Sequence, residues 1–493
     1  MEMDQEKFRA LARKYKVVPV YQIITADLLT PVLAYIKLRN PDNYCFLLES
    51  VEGIGRLARY SFVGRDPLKI IRSRGTEITV TGSGKISTVR ENLFKYLKKE
   101  ITRFSYPHNE DLPDFTGGIV GFLGYENIAL IEDVIRFKNA GPATAPDAIF
   151  GLYDTIVAFD HYKHQLILIR NVFTDAGGDL DKIYHDALSA LIKLHRELTR
   201  PVQYRSDFRL EEKAGQHDDA GFAALVEKAK ENIRAGEIFQ IVLSRRFGAA
   251  YRGDLLNVYR ALRIINPSPY MYYMEFGDSF TVIGTSPEDL LKVHNRKATI
   301  LPIAGTRRRG RTEAEDEALA KELLADPKER AEHIMLVDLA RNDLGRICKY
   351  DTIRLAEEMK IQRYSHVMHI VTRVEGELRD DRDCIDALKA GFPAGTLTGA
   401  PKIRAMQLID GYEEVRRNVY GGAVGYIDFS GNLDMCIAIR TLFAGPDRIS
   451  WQAGAGIVAD SVPELEIKEI ENKSAVMLTA LKYAEVIDED PGD

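Results

Sequence analysis

Residues 281–306, TVIGTSPEDLLKVHNRKATILPIAGT, decide the fold class. Apolar and β-branched runs flank a turn signal at Asn295-Arg296, so the segment predicts three strands in succession with no helix between them. A doubly wound sheet would alternate strand with helix here. The fold class is therefore α+β: a large, mainly antiparallel β-sheet sandwich flanked by helices. Working outward, YCFLLES (44–50) and YSFV (60–63) predict strands, while IRSRGTEITVTGSGKISTV from residue 71 and GLYDTIVAFDHYKHQLILIR (151–170) predict hairpins. GGIVGFLG (117–124) and GPATAPD (141–147) have the glycine content of flexible connections. A helix over 180–198 runs into the polar stretch RPVQYRSDFRLEEKAGQHDDAG (200–221), the best boundary in the chain. The expected organisation is an N-terminal region 1–200, a linker 201–220 and a C-terminal region 221–493. Beyond the linker, 221–235 has helical spacing, and IFQIVLSRRFGAAY forms a strand bounded by Gly236 and Gly253.

Composition narrows the function classes. In 493 residues, 67 Lys+Arg face 73 Asp+Glu for a formal net charge of -6, which disfavours nucleic acid as a partner. With 45% hydrophobic and 28% charged residues the chain belongs among globular folds. Cys45, Cys348, Cys384 and Cys436 form no CxxC pair, so neither a zinc site nor a disulfide framework is expected. The acidic start MEMDQEKF lacks the cation-then-apolar pattern of a secretory signal, and every apolar run is too short to span a bilayer. The expectation is a cytoplasmic protein with no membrane segment.

Several motifs resemble sites without being convincing ones. GxGxxA occurs at 53–58 and at 454–459, but neither match stands in a βαβ unit, and no GxxxxGK[ST] loop exists. His366 with His369, and His161 with His164, have a three-residue spacing that places strand side chains on opposite faces. Arg307-Arg308-Arg309-Gly310-Arg311 has no interleaved aromatics and a Glu-rich helix behind it, the pattern of a solvated loop.

Two helices carry more information. In DPKERAEHIMLVDLARNDLGR (326–346), Glu329 and Glu332 share a face; after Val462-Pro463, Glu466, Glu469 and Lys473 do the same. Such spacing describes a solvated helix face as well as a pair of hard-oxygen donors for Mg²⁺. Around them stand glycine-rich turns at the ends of apolar runs: Thr285-Ser286-Pro287-Glu288, 302–306, 392–402 and Gly454-Ala455-Gly456. These are places where an anionic ligand meets main-chain N–H groups, and Arg440 adds a cation. The composite points to a carboxylate-rich small molecule held with Mg²⁺.

LLES, RYSF, GEIFQIVLSRRF, NPSPYM, GTSPE, PIAGTR, AEHIMLVDLARNDLGR, FPAGTLTGAPKIRAM, GAGIVADSVPE and ENK together resemble the anthranilate synthase component I family of chorismate-utilising enzymes, over nearly the whole chain. The resemblance implies conversion of chorismate and ammonia to anthranilate and pyruvate, the first committed step of L-tryptophan biosynthesis, with Mg²⁺ dependence and feedback inhibition by tryptophan. By position, Glu332 and Glu469 match the Mg²⁺ ligands of that family. Gly305, Thr306, Tyr420, Arg440, Gly454, Ala455 and Gly456 match chorismate-binding positions, with Lys473 completing an anion clamp. Glu288 matches the acid that protonates the departing C4 hydroxyl; His369 and Thr396 match positions near the reacting ring, and His369 is the candidate for assisting pyruvate elimination. Gln240, whose neutral amide cannot serve as a base but can orient ammonia, and Glu329 are further catalytic candidates. Ser50, Pro269, Tyr270 and Met271 match the tryptophan site, with Glu49 and Cys436 as neighbours.

Two positions separate the relatives. Aminodeoxychorismate synthases of the amine-attacking kind carry Lys where this chain has Ala304, and isochorismate-type synthases carry a Lys base where it has Gln240. Ammonia is then the expected nucleophile. No cysteine sits in a glutaminase-type turn, so a separate glutamine amidotransferase subunit, component II, is the expected partner in a 2+2 heterotetramer.

Overall fold

Asn295 and Arg296 turn the chain with φ of 49° and 65°, joining Asp289–His294 to Lys297–Ile300 across the pair His294↔Lys297. Two successive left-handed residues match the twist of antiparallel strands, which is why so short a turn suffices. In this computed structural model the described residues are 2–40, 43–50, 59–137, 145–175, 177–211, 218–277, 279–364 and 367–488. The GxGxxA match at 53–58, His366, residues 141–144 of GPATAPD and residues 212–217 of the linker lie outside them.

The segment 281–306 contributes four strands rather than three: Thr281–Ser286, Asp289–His294, Lys297–Ile300 and Ile303–Arg308. Apart from the turn at Asn295-Arg296, each break falls at a proline. Pro287 ends one strand, and Pro302, with no N–H for the ladder, separates the last two. The first strand lies in one sheet and the other three in a second.

Each sheet has twelve strands among the described residues, and all pairings are antiparallel. The first runs, in space, Val17–Thr25, Gln165–Phe173, Thr155–Asp160, Tyr60–Arg65, Tyr44–Glu49, Tyr270–Phe276, Thr281–Ser286, Thr441–Ala444, Arg448–Ile457, Gln240–Arg252 and Arg209–Leu210, with Gly399–Ala400 paired off this path to Gln240–Arg252. The second is centred on Asp289–His294, Leu433–Ile437, Ala423–Asp428, Gly118–Leu123 and Ala148–Tyr153. Strands from either side of the polar stretch lie side by side in both sheets: Tyr44–Glu49 pairs with Tyr270–Phe276, and Gly118–Leu123 with Ala423–Asp428.

The sheets face each other over an aromatic layer. Phe115 is fully buried, with ring centroids 4.3 Å from Tyr426, 5.3 Å from Phe62 and 6.5 Å from Phe46. Helices cover the outer faces: Leu180–Thr199 packs on Gln165–Phe173, Pro463–Ala484 on Arg448–Ile457, and Pro327–Gly345 on Ile303–Arg308. No helix among the described residues is long and apolar enough to cross a membrane.

Two local expectations change. GGIVGFLG is not a connection: Gly118–Leu123 is a fully buried central strand, and a β-carbon on Gly121 would collide with the Ile149 carbonyl of the neighbouring strand. Glycine there permits close approach of backbones rather than mobility. Nor is the arginine run a solvated loop. Arg307 and Arg308 end a strand, and ion pairs neutralise the run: Arg307 to Glu322, Asp326 and Glu329, Arg308 to Glu315, Arg309 to Asp316.

Truncating the ring that three others enclose leaves a cavity between the sheets. Phe115→Ala is expected to cost about 3–5 kcal/mol, as Phe→Ala core truncations do; a urea midpoint unchanged from wild type would show that the layer repacks without loss.

Candidate active site

The chain passes from the first sheet to the second at Pro287-Glu288 and returns at residues 438–440, between Leu433–Ile437 and Thr441–Ala444. These two crossings are bonded to each other. Ile437 N–H donates to the Glu288 carbonyl at 3.0 Å, Ser286 Oγ to the Ile437 carbonyl at 2.7 Å, and Thr285 N–H to the Arg440 carbonyl at 3.1 Å. Arg440 takes φ of 48°, a left-handed conformation uncommon outside glycine and frequent at functional sites. Glu288 and Arg440 thereby both line one cavity of about 580 Å³.

The opposite wall is built by the two acidic helices. Pro327–Gly345 starts where the Asp326 carboxylate accepts from the N–H groups of Lys328 at 2.9 Å and Glu329 at 3.2 Å. Pro463 opens Pro463–Ala484 at a position whose missing N–H costs nothing. Glu329 and Glu332 from one helix and Glu466, Glu469 and Lys473 from the other line the same cavity. Lys473 Nζ donates to Glu469 Oε1 at 2.6 Å and to the Gly454 carbonyl at 2.9 Å.

The floor is the ladder between Gln240–Arg252 and Arg448–Ile457, which pairs Val242 with Gly456 and Ser244 with Gly454. A β-carbon on Gly454 would lie 2.6 Å from Tyr420 Oη, and one on Gly456 2.7 Å from Gln240 Nε2. The glycines thus make room for the tyrosine and glutamine that line the cavity. Ala455, between them, faces the core and is fully buried; it reaches the site only through its backbone.

A fully buried arginine supports this floor. Arg417 is held by Glu413 at 2.6 Å, donates to the Leu397 carbonyl at 2.6 Å and the Val242 carbonyl at 2.8 Å, and lies over the rings of Tyr125 and Tyr420. Burial by itself would favour the neutral guanidine, but the Glu413 charge outweighs it and raises the pKa.

Electrostatics divides the carboxylates. Burial pushes Glu288 up to about 7, against the Thr396 Oγ1 hydrogen bond at 3.0 Å and the charges of Lys473 and Arg440. Glu332 is raised by burial and by the neighbouring charges of Glu329 and Glu469, and Glu466 chiefly by burial. Among the described residues no three His, Cys, Asp or Glu side chains gather closely enough to hold a metal alone. The facing helices still offer carboxylate oxygens, which fits a hard ion that takes its remaining ligands from water and substrate.

Gly305 and Thr306 line the cavity, and His369 stands behind them. Its Nδ1 lies 2.8 Å from the Gly305 carbonyl and 3.1 Å from Thr306 Oγ1. A carbonyl only accepts, so Nδ1 carries the hydrogen and Nε2 is left as an acceptor. Burial lowers the pKa of this imidazole and keeps it neutral. His161 instead bonds Ser61 Oγ at 2.7 Å.

Of the residues singled out by sequence, Gln240, Glu288, Gly305, Thr306, Glu329, Glu332, Thr396, Tyr420, Arg440, Gly454, Gly456, Glu469 and Lys473 converge on this cavity. Lys328, Gln452, Asp460 and Ser461 also line it and were not foreseen. Lys328 had one legible signal: a cation in the first turn of a helix opposes the helix dipole, a placement that stability alone disfavours.

A separate, smaller pocket of about 90 Å³ collects Glu49, Ser50, Pro269, Tyr270, Met271 and Cys436. Met271 pairs with Glu49 across neighbouring strands, and Tyr270 with Ser286, one residue from the first sheet crossing. Ser50 Oγ is buried without a hydrogen-bond partner. Phe62, Asp114, Lys292, Tyr426 and Asp434 are among the other residues that line it; Asp434 was within reach of sequence reasoning, two residues from Cys436 on the same strand face.

The model of chorismate binding enzymes matches residues 43–479. Among similar proteins, anthranilate synthase component 1 of Acetivibrio thermocellus is 42% identical over 492 residues, covering 97% of this chain and 98% of the relative. That of Aquifex aeolicus is 42% identical over 492 residues, covering 98% and 99%. The crystal structure of anthranilate synthase component I from Streptococcus pneumoniae superposes with a TM-score of 0.75 at 35% identity, covering 92% of this chain and 98% of that one.

The raised acid makes a stability prediction. Between pH 4.5, the ordinary value, and about 7 the folded chain keeps a proton on Glu288 that the unfolded chain has lost, so the group's contribution to stability falls as pH rises through that window and then levels off. Glu288→Gln remains neutral throughout. Its Tm is expected to exceed that of wild type at pH 8 and to match it at pH 4; equal Tm values at both would show an ordinary carboxylate.

Proposed function

This chain belongs to the chorismate-binding enzyme family, and we propose that it converts chorismate and ammonia to anthranilate, pyruvate and water as the large subunit of an anthranilate synthase. The observation that carries the reading is the pairing of a protonatable acid, Glu288, with Arg440 at the head of a cavity whose far wall is acidic. Lysines line it only at Lys328 and Lys473 among the described residues. The alternative reactions need a lysine at 304 or 240, where Ala304 and Gln240 stand, so the nucleophile is external ammonia.

In this mechanism Arg440 and the Gly454–Gly456 backbone hold the enolpyruvyl carboxylate, and Tyr420 and Thr306 flank the ring. Glu332 and Glu469 would hold Mg²⁺, which would supply the positive charge that the ring carboxylate requires beside an acidic wall. Gln240 orients ammonia towards C2; its amide is neutral, so it positions a nucleophile without generating hydroxide from water. As the C2–N bond forms, both ring double bonds shift, C1=C2 to C1=C6 and C5=C6 to C4=C5, and the C4–O bond breaks, with Glu288 donating the proton that releases water and the new ammonium group then losing the proton that restores the acid. His369 Nε2 then accepts the C2 proton, the C3–O bond breaks, the ring becomes aromatic, and the enolpyruvyl group leaves and takes up a proton as pyruvate. Thr396 holds Glu288 in place for the first step.

Ammonia comes from glutamine on a separate amidotransferase subunit in a 2+2 complex, and the small pocket binds tryptophan as a feedback inhibitor. The four cysteines are buried and unbridged, which suits the reducing cytoplasm. Tryptophan at Ser50 and Tyr270 would act on catalysis through Ser286, whose hydroxyl is bonded between the two sheet crossings.

With chorismate, Mg²⁺ and ammonium, the purified chain is expected to produce anthranilate fluorescence that a chelator abolishes, and Glu288→Gln to lower kcat by roughly 10²–10⁴-fold. Pyruvate or isochorismate without anthranilate would overturn the reading of Ala304 and Gln240. Ser50→Phe, which fills the small pocket, is expected to raise the tryptophan concentration for half-inhibition at least about tenfold, equivalent to 1.4 kcal/mol; unchanged sensitivity would place the effector elsewhere.

A further inference from the structure

Tyr420 reaches the large cavity from a turn, residues 418–421, that lies between the helix Lys402–Tyr412 and the strand Ala423–Asp428. Its hydroxyl lies against Gly454 on the cavity floor. A side chain carried by a turn is placed only as well as the bonds that hold the turn. On one side those bonds run to the second sheet crossing, where Gly421 N–H donates to the Ala438 carbonyl at 3.0 Å.

On the other side they run to a segment almost 300 residues earlier in the chain. Glu126 is buried and accepts from Arg417 N–H at 2.8 Å through one carboxylate oxygen and from Asn418 N–H at 3.1 Å through the other. The Asn418 carbonyl accepts from Tyr125 N–H at 2.7 Å, and a β-carbon on Gly124 would lie 2.9 Å from that carbonyl oxygen. Asn418 itself takes φ of 52°, a left-handed conformation that asparagine tolerates better than most residues. Tyr420 N–H then donates to the Arg417 carbonyl at 3.1 Å, and the Arg417 guanidinium lies 4.7 Å from the Tyr125 ring and 5.6 Å from the Tyr420 ring.

The choice of a carboxylate at 126 is informative. Burial raises its pKa, against the Arg416 charge and the Asn418 N–H bond. A buried carboxylate is a costly way to stabilise a fold, whereas two acceptor oxygens side by side fix two successive N–H groups in direction. A glutamine of the same shape offers one oxygen and turns a donor towards the second N–H.

We infer that Glu126 is a positioning residue for the candidate active site: it sets the turn that aims the Tyr420 hydroxyl at bound chorismate. The inference rests on the reading of the large cavity as the chorismate site. A cavity whose lining residues all lie beyond Phe239 then depends for one wall on a residue far outside that stretch.

Equilibrium dialysis of the intact chain with chorismate and Mg²⁺, without ammonium, reads affinity in the absence of turnover. Tyr420→Phe is expected to weaken chorismate about tenfold, the scale of one hydrogen bond. Glu126→Gln is expected to weaken it at least about threefold in the wild-type background but by no more than about twofold when Tyr420 is already Phe, because residues that act through one another are not additive. A merely structural role would lower Tm without producing that dependence on the Tyr420 hydroxyl. Should Glu126→Gln fail to fold, Asn418→Ala disturbs the same turn by disfavouring its left-handed residue and is expected to show the same pattern. Wild-type affinity in the folded variant, or a loss that persists in full beside Tyr420→Phe, would overturn the role of Glu126 and leave the cavity reading intact. Tyr420→Phe with wild-type affinity would remove Tyr420 from the chorismate site and this inference with it; wild type that binds no chorismate would remove the reading of the cavity as well.

Discussion

Three hydrogen bonds between two strand-to-strand crossings govern the architecture of the candidate site. At Pro287-Glu288 the chain leaves one sheet for the other, and at residues 438–440 it returns. Buried chain that leaves a ladder must find other partners for its N–H and C=O groups. Here each crossing satisfies the other through Ile437, Ser286 and Thr285. One consequence is that an acid and a cation, 152 residues apart in sequence, are fixed on backbone that neither sheet could hold by itself. The left-handed turn at Arg440 and the burial that raises Glu288 both follow from that location.

The same joint lies beside the smaller pocket. Tyr270 faces Ser286 across its ladder, and Cys436 precedes the Ile437 that binds both Ser286 and Glu288. Any ligand that moves Tyr270 or Cys436 acts on backbone that positions the acid. The two hollows are therefore separate in volume but share a covalent and hydrogen-bonded wall, which is the physical basis for coupling them. The fully buried Arg417 plays a comparable part on the floor: its planar group fixes Leu397, Val242 and Tyr420 at once, a task a lysine could not share among so many directions.

Local chemistry made much of this legible. Asn295-Arg296 marked its turn, because a two-residue turn with both residues left-handed matches the twist of such strands. The i,i+3 spacing of Glu329 with Glu332 and of Glu466 with Glu469 placed each pair on one helix face, and the long motifs pointed to the family. Local pattern failed where the meaning of a residue depends on its neighbour across space. The glycines of 117–124 have the composition of a loop, yet Gly121 serves the backbone of the adjacent strand. Arg307–Arg309 have the composition of a basic patch, yet acids from the following helix neutralise them.

By itself, the order of residues determined the α+β class, the helices over 180–198, 221–235, 326–346 and after Pro463, several of the strands, and most of the side chains that gather in the candidate site, since periodicity, turn residues and motif spacing are properties of short segments. Tertiary structure alone decided that the chain changes sheets at Glu288 and at Arg440, and that Lys328 and Gln452 join the cavity. Those outcomes depend on which strands pair over long separations and on what burial does to a charge, and neither is written in any local stretch.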